Sequence, residues 1–127
     1  MTILTLPQRT AADAGLDHTT VLVVAPAHRL MELDRHLPMG WWVTHRTDLP
    51  PAGRDPDIVV LDDPAPRLVT QACLRLPTSA IVAVLTPYSD HQDVVAVLEA
   101  GADACVRSGT AAVIAAHLEA CQRRQAA

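Results

Sequence analysis

Three apolar runs of this 127-residue chain are each followed at once by polar side chains that are able to bind a ligand. Asp62 and Asp63 end DIVVLDD, Thr86 follows AIVAVL, and Ser108 follows ACVR. A carboxylate accepts hydrogen bonds and binds cations, and a hydroxyl both donates and accepts, so these groups together would hold a small polar ligand. Whether they meet depends on the elements that carry them.

The composition excludes several kinds of chemistry. All ten basic residues are Arg, and Lys, Phe and Asn are absent, which fits the A/T-poor codons of a GC-rich bacterial genome. Without Lys there is no Schiff base and no P-loop lysine, so aldolases of that type, pyridoxal-phosphate enzymes and Walker nucleotidases are excluded. The chain also lacks G-x-S-x-G, H-E-x-x-H and G-x-G-x-x-G, and Pro64 stands where a haloacid-type phosphatase needs a second Asp.

Charge and cysteine usage indicate a cytoplasmic protein with no nucleic-acid surface of its own. The net charge is −4, whereas binding to phosphate backbones needs clustered cations. No apolar stretch approaches a membrane span, and MTILTLPQRT lacks the pattern of a secretory signal. Cys73, Cys105 and Cys121 are odd in number and without C-x-x-C spacing, so we interpret them as small buried side chains in a reducing compartment.

Short β-branched runs alternate with amphipathic segments from Thr20 onward. Apolar strands that alternate with such helices predict one doubly wound parallel sheet covered on both faces. We expect residues 1–19 to form a partly flexible arm and residues 20–127 to form the domain, in which TDLPPAGRDP is too rich in Pro for a full helix. The predicted strands are Thr20–Val24, Trp41–His45, Asp57–Asp63, Ala80–Leu85 and Ala104–Arg107, and the predicted helices are His28–Leu37, Arg67–Leu76, Ser89 to Gly101 and a last one capped by Thr110.

Local patterns refine three of these helices. Leu30, Leu33 and Leu37 share one face of the first helix. Ser89 with Gln92 has the spacing of a capping box. In the last helix His117 falls among apolar residues at helical spacing, which favours a packed histidine over a ligand. In such sheets ligands bind beyond the carboxyl ends of the strands, where the polar residues named above stand.

Those strand ends carry a family resemblance. DIVVLDDPAP resembles the third strand and following loop of response-regulator receiver domains, the CheY-like family. VAVLTPYSD is similar to their fourth strand, and VVAVLEAGADACVRSG to their next helix, turn and fifth strand. The similarity runs from Val21 to Arg124 and implies a flavodoxin-like α/β fold with strand order 2-1-3-4-5, its second helix shortened or missing.

The resemblance also shows where this chain differs from an active receiver domain. In an active receiver an Asp takes a phosphoryl group from a histidine kinase, with Mg²⁺ held by that Asp and an acidic pair after the first strand. Asp62 matches the phosphoacceptor and Thr86 the switch hydroxyl. Ala25 and Pro26 stand in place of the acidic pair, and Ser108 stands in place of the lysine.

The switch aromatic is replaced by Cys105, and Arg107 should point to the other face of its strand. The sequence therefore predicts an atypical receiver, a pseudo-receiver, with no catalytic residue, no metal and no cofactor. Asp63 is expected in the same pocket as a loop carboxylate. We further hypothesise that His28 or Arg29 pairs with Asp62 and replaces the missing cation.

A module that acts through contacts with other proteins needs an interaction surface. The resemblance implies a protein partner or homodimer at the fourth helix, fifth strand and last helix, and a fused or separate DNA-binding or ATPase effector. Two alternatives remain open: a small-ligand sensor that uses Asp62, Thr86 and Ser108, and a receiver that is still phosphorylated. Small residues that would permit close helix approach at that surface are Ala96, Ala100, Ala104, Ala111, Ala112, Ala115 and Ala116.

Overall fold

Five parallel strands form the centre of the protein in a computed structural model, which describes residues 18–27 and 29–126. The sheet order is β2-β1-β3-β4-β5, which confirms the predicted flavodoxin-like, doubly wound fold. Most of the predicted arm and His28 lie outside the described residues. The strands are β1 (Thr20–Val24), β2 (Trp42–Arg46), β3 (Ile58–Asp62), β4 (Ala80–Leu85) and β5 (Ala104–Arg107).

Helices cover both faces of the sheet. They are α1 (Pro66–Arg75), α2 (His91–Glu99) and α3 (Ala111–Ala126), and a 3₁₀ helix spans Met31–His36. All of residues 47–57 are described and none is helical, so the crossover from β2 to β3 lacks its helix, as predicted. No helix in the described part of the chain is long and apolar enough to span a membrane.

The first helix was predicted as an α-helix, and this was wrong in type. Leu30 takes a left-handed conformation with φ 62°, which ends the preceding turn and leaves only six residues for the helix. So short a segment forms i→i+3 hydrogen bonds readily. The predicted apolar face is nevertheless present, because Leu33 is fully buried and Leu30 and Leu37 pack against the same core.

The core has two layers because strand side chains alternate between the two sheet faces. Val21 and Val60 lie on the face covered by the 3₁₀ helix and α3, where Leu118 packs on them. Leu22 and Val59 lie on the opposite face, beneath α1 and α2. Aliphatic side chains on both faces explain why these strands are continuous apolar runs in the sequence.

Two details of the helices differ from the sequence prediction. The capping box of α2 is formed by Asp90 and Asp93, one residue later than predicted, and Ser89 instead shares a hydrogen bond with Thr86. His117 is exposed. The sheet-facing positions of α3 are occupied by Ile114, Ala115, Leu118 and Cys121, and these leave His117 on the solvent side.

Candidate functional site

An open pocket of about 630 Å³ lies at the carboxyl end of the sheet. Asp62 at the end of β3, Thr86 after β4 and Ser108 after β5 line it together with Arg29. Strands β3, β4 and β5 are neighbours and run in the same direction, so their carboxyl ends bring these residues to one edge.

The charge of Asp62 is balanced by Arg29. Arg29 Nη2 donates to Asp62 Oδ1 at 3.2 Å, and the Asp62 side chain is 5% exposed whereas that of Arg29 is 56% exposed. A hydrogen bond from the Arg29 amide to the Pro26 carbonyl, 3.1 Å, makes the turn that follows β1 and places the guanidinium over the pocket. The hypothesised ion pair with Asp62 is therefore present, with Arg29 as the cation.

The side chains around Asp62 do not fit the magnesium ion that the resemblance implies. The acidic residues that line the pocket are Asp62 and Glu32, and Asp62 is already bonded to a guanidinium. Ala25 and Pro26 provide no side-chain oxygen. Across the described residues, no three His, Cys, Asp or Glu side chains are grouped as metal ligands. A hard cation that prefers several oxygen ligands therefore lacks them at this position.

The two hydroxyls of the pocket are engaged in local hydrogen bonds. Thr86 Oγ1 and Ser89 Oγ lie 3.1 Å apart in the loop between β4 and α2. Ser108 Oγ accepts from the Thr110 amide at 3.0 Å, just before α3 begins. A hydroxyl has one donor and two acceptor positions, so each retains capacity for a ligand. Neither brings the positive charge of a lysine.

Asp63 does not belong to this pocket, contrary to the prediction. Its backbone is left-handed with φ 47°, and its amide donates to the Val84 carbonyl at 2.7 Å. The side chain lines a separate cavity of about 150 Å³ with Pro64, Ser89 and Asp93. Side chains of adjacent residues diverge at a strand end, and here the left-handed backbone at Asp63 determines the direction that its side chain takes.

The same divergence applies at the end of β5. Arg107 does not line the pocket, as predicted, and its Nη1 donates to the Ser89 carbonyl at 2.9 Å. Cys105 is half-buried against the core beneath α1 and α2. Burial raises the pKa of the Cys105 thiol, and the nearby Arg107 opposes this only in part. At neutral pH Cys105 is a neutral packing residue.

Ala25 and Pro26 line a neighbouring depression of about 510 Å³. His45 and Arg46 from the end of β2 contribute to its wall. Arg29 and Met31 line both cavities, so these two residues lie between them. Apolar side chains thus stand where the resemblance implies an acidic pair, and Arg29, Arg46 and Asp48 border them.

Four further polar side chains line the main pocket that the sequence analysis did not identify: Glu32, His36, Tyr88 and Thr110. Tyr88 is 93% exposed and follows Thr86 by two positions. It could have been predicted by considering the residues further along the loop after β4 as well as the first one. Glu32 and His36 come from the 3₁₀ helix, whose orientation depends on the left-handed Leu30. No periodicity in the sequence indicates that orientation.

Comparisons with known sequences assign no family, since no family model and no curated protein matches the chain. Comparisons with solved structures do find similar proteins, and the three named below share 16–17% sequence identity with this chain.

DrrB of Thermotoga maritima, described as an OmpR/PhoB homologue, shares 17% identity over 86% of this chain with a TM-score of 0.66. The chain spans about half of that protein, 54% of its length. The ChxR receiver domain of Chlamydia trachomatis shares 16% over 85% of this chain and 99% of its own, with a TM-score of 0.62. An orphan response regulator of H. pylori shares 16% over 80% of this chain and 94% of its own, again at 0.62. With the sheet order described above, these likenesses show that the chain has the flavodoxin-like fold of response-regulator receiver domains.

Proposed function

We propose that this protein is an atypical receiver, a signalling module that regulates by contacting another protein and does not use magnesium-assisted phosphorylation of an aspartate. The observation that supports the proposal is the hydrogen-bonded ion pair between Arg29 and Asp62. The residue that matches the phosphoacceptor is held by a side chain of the same chain.

The electrostatics of phosphoryl transfer support the first half of the proposal. Catalysis of that reaction depends on positive charges placed around the transferred group, chiefly a metal ion and a cationic side chain. Around Asp62 the metal-ligand positions are Ala25 and Pro26, and the lysine position is Ser108. The cation that is present, Arg29, already donates to the carboxylate that would have to attack.

Intact mass spectrometry tests this half. The full chain is incubated with a small phosphodonor, acetyl phosphate, and Mg²⁺, and we expect its mass to stay unchanged. Asp62→Asn and Asp63→Asn serve as matched variants, since each removes one carboxylate at the carboxyl end of β3. A phosphoryl-mass adduct on the natural chain that Asp62→Asn lacks and Asp63→Asn keeps would overturn the proposal.

The surface we assign to the partner lies at the β5 edge of the sheet. Val95 and Leu98 on α2 and Val113 on α3 are exposed, and these helices flank β5. Large apolar side chains at the surface are typical anchors of protein interfaces. Ala115 is excluded from this surface, because it is buried in the core, whereas Ala112 and Ala116 are exposed.

A partner titration tests this surface. Binding of a protein encoded beside this chain, or of a fused or separate effector, is measured by calorimetry for the natural chain and for Val95→Glu. Leu74→Glu is the control, since Leu74 is a still more exposed leucine on α1. We expect at least a tenfold loss of affinity for Val95→Glu and none for Leu74→Glu. Equal losses for both variants would contradict the assignment.

The size of the carboxyl-end pocket supports a second candidate, a sensor of a small anion. A volume of about 630 Å³ lies in the range of small-molecule sites, and Arg29, Thr86 and Ser108 offer hydrogen bonds to an anion. Thermal shift with inorganic phosphate and with dicarboxylates tests it. A sensor would melt at a higher temperature with one of them, and Arg29→Gln would abolish that rise. Arg35→Gln, an exposed arginine outside the pocket, would not.

A further inference from the structure

Strand β2 forms one edge of the sheet in the described part of the chain, and it pairs only with β1 there. The Trp42 amide donates to the Thr19 carbonyl at 2.8 Å, and the Arg46 carbonyl accepts from the Ala25 amide at 2.9 Å. In a parallel pair both backbone groups of alternate residues face the same neighbour. Val43 and His45 therefore direct their amides and carbonyls away from the sheet.

In the described part of the chain, this edge carries neither a β-bulge nor a proline, two of the features that prevent pairing with another strand. The five residues of β2 match β1 in continuous register without a bulge, and none of them is Pro. One side of β2 exposes Trp42, Thr44 and Arg46, because the crossover that follows provides no helix to cover it. A straight edge strand of this kind is a template for another strand.

We propose that two copies of this chain pair through β2 in antiparallel orientation about a two-fold axis at Thr44. In this register Val43 of one copy faces His45 of the other, and all four outward amides and carbonyls per copy gain a partner. Among the outward-facing residues of β2 itself, a register shifted by two residues either way would pair only Val43 with itself or only His45 with itself. The backbone thus selects one register.

The side chains on the exposed side suit that register. Directly opposed residues in an antiparallel pair interact, and here Trp42 of each copy faces Arg46 of the other. A guanidinium over an indole face is an attractive cation–π arrangement, for which Arg46 would exchange its exposed pairing with Asp48, 3.4 Å. His18 stacks on the Trp42 ring with centroids 4.2 Å apart and planes at 20°, which orients the indole. Thr44 faces Thr44 at the axis, and no like charges oppose each other.

The dimer goes beyond the proposed function and does not depend on it. β2 and β5 are the two opposite edges of the sheet, so pairing through β2 leaves α2, β5 and α3 accessible to a partner. A two-fold interface of this type closes on itself and stops at two copies. It joins the two sheets into one of ten strands, counting the described strands of each copy.

Cysteine cross-linking tests the register on the full chain. Thr44→Cys places two thiols across the axis at a non-hydrogen-bonded pair, where Cβ atoms are roughly 4.5–5.5 Å apart. Arg46→Cys is the matched control on the same side of the strand, since its two copies are four residues off register, roughly 13 Å apart. Under mild oxidation we expect Thr44→Cys to become a covalent dimer and Arg46→Cys to remain uncross-linked. Equal cross-linking of both, or none of Thr44→Cys, would overturn the proposal.

Sedimentation equilibrium of the full chain tests the dimer itself. We expect a dimer for the natural chain, monomers for Thr44→Arg and for Thr44→Asp alone, and a restored dimer when the two variants are mixed. Restoration of the dimer requires that both variants are folded and that residue 44 of one copy faces residue 44 of the other. A variant that had lost its fold would not restore the dimer. Three results would each refute the proposal: a natural chain that stays monomeric, a dimer that Thr44→Arg does not affect, and a monomer that dimerises only after removal of residues 1–17. The last would show that this segment occupies the edge.

Discussion

The two ends of the parallel sheet use their carboxylates in different ways. At the amino end, Asp57 accepts from the Thr20 amide at 2.8 Å and from its hydroxyl at 3.1 Å, and Asp103 accepts from the Ile81 amide at 2.7 Å. At the carboxyl end, Asp62 accepts from the exposed guanidinium of Arg29. Backbone donors are fixed in place by the sheet, whereas a guanidinium on a long side chain can move away from its acceptor.

The carboxylates of the amino end therefore stabilise the fold, whereas the pair at the carboxyl end is able to rearrange. At the amino end the carboxylates join the start of one strand to its neighbour, so removing one leaves a backbone amide without its partner. At the carboxyl end the pair joins a loop side chain to a strand end, and the pocket beside it is open to solvent. Function in such sheets resides at the carboxyl end, and there the charge is balanced by a replaceable group.

Asp57→Ala should produce the largest effect. It removes two hydrogen bonds to a charged acceptor and leaves the Thr20 amide unpaired at the joint between β1 and β3. Bonds of this kind contribute about 1.5–3 kcal/mol each, and we expect a loss of about 3 kcal/mol in the free energy of unfolding, measured by urea denaturation. Asp55→Ala is the control, because its bonds to the Thr78 amide and hydroxyl are exposed. A loss as large for Asp55→Ala would contradict the comparison.

Gly101→Ala should destabilise the amino end next. Gly101 has φ +121°, and a Cβ there would meet Cys73 Sγ at 2.8 Å, so we expect a loss of about 2 kcal/mol from strain and overlap together. Gly40→Ala isolates the strain, because Gly40 also has a positive φ of +90° but open space around it. Adding Cys73→Ala to Gly101→Ala should recover the difference between the two in thermal melts. Without such recovery, the overlap has no part in the effect.

The sequence predicted the strands well and the helix ends less well, for physical reasons. β1, β4 and β5 were predicted with correct bounds. β1 and β4 are buried almost throughout, which leaves apolar runs in the sequence, and each of the three strands is followed within two residues by a proline, a threonine or a serine. The capping box shifted from Ser89 to Asp90 because a carboxylate and a hydroxyl are both good caps, and tertiary contact with Thr86 decided between them. His117 was wrong because one position along a helix rotates a side chain by about 100°.

The site was predictable where it rests on strand ends. Asp62, Thr86 and Ser108 meet because parallel strands end together. The Arg29 pairing followed from the loss of a cation that an isolated carboxylate needs. The placement of Asp63 outside the pocket, and of Glu32 and His36 in its lining, depends on left-handed backbone at Asp63 and Leu30. Neither residue is a glycine. Leucine rarely adopts this conformation and aspartate adopts it only in a minority of cases, so neither residue type predicts it.

Breaking the Arg29–Asp62 pair should have a smaller effect than either change at the amino end. A hydrogen bond from a half-exposed guanidinium contributes about 1 kcal/mol, so Arg29→Gln and Asp62→Asn should each lower the free energy of unfolding by about that amount. The double variant should lose less than the sum of the two, because they remove the same contact. Additive losses in urea denaturation, or no change for Asp62→Asn, would show that the pair does not hold the pocket.

The smallest effect we expect is a pH dependence at the amino end, from Cys121. Burial raises the pKa of this thiol, although Arg124 opposes the shift. A thiol whose pKa is higher in the folded protein than in the unfolded chain stabilises the fold fully below its ordinary range. That contribution is lost as the pH rises through the ordinary range toward the raised value, because only the unfolded chain has released the proton. Cys121→Ala should therefore lower stability at pH 7 by removing buried contacts, yet it should flatten the decline in melting temperature between neutral and alkaline pH. An identical decline in the variant would assign the alkaline sensitivity to Cys73 or Cys105, whose thiol pKa values are also raised by burial.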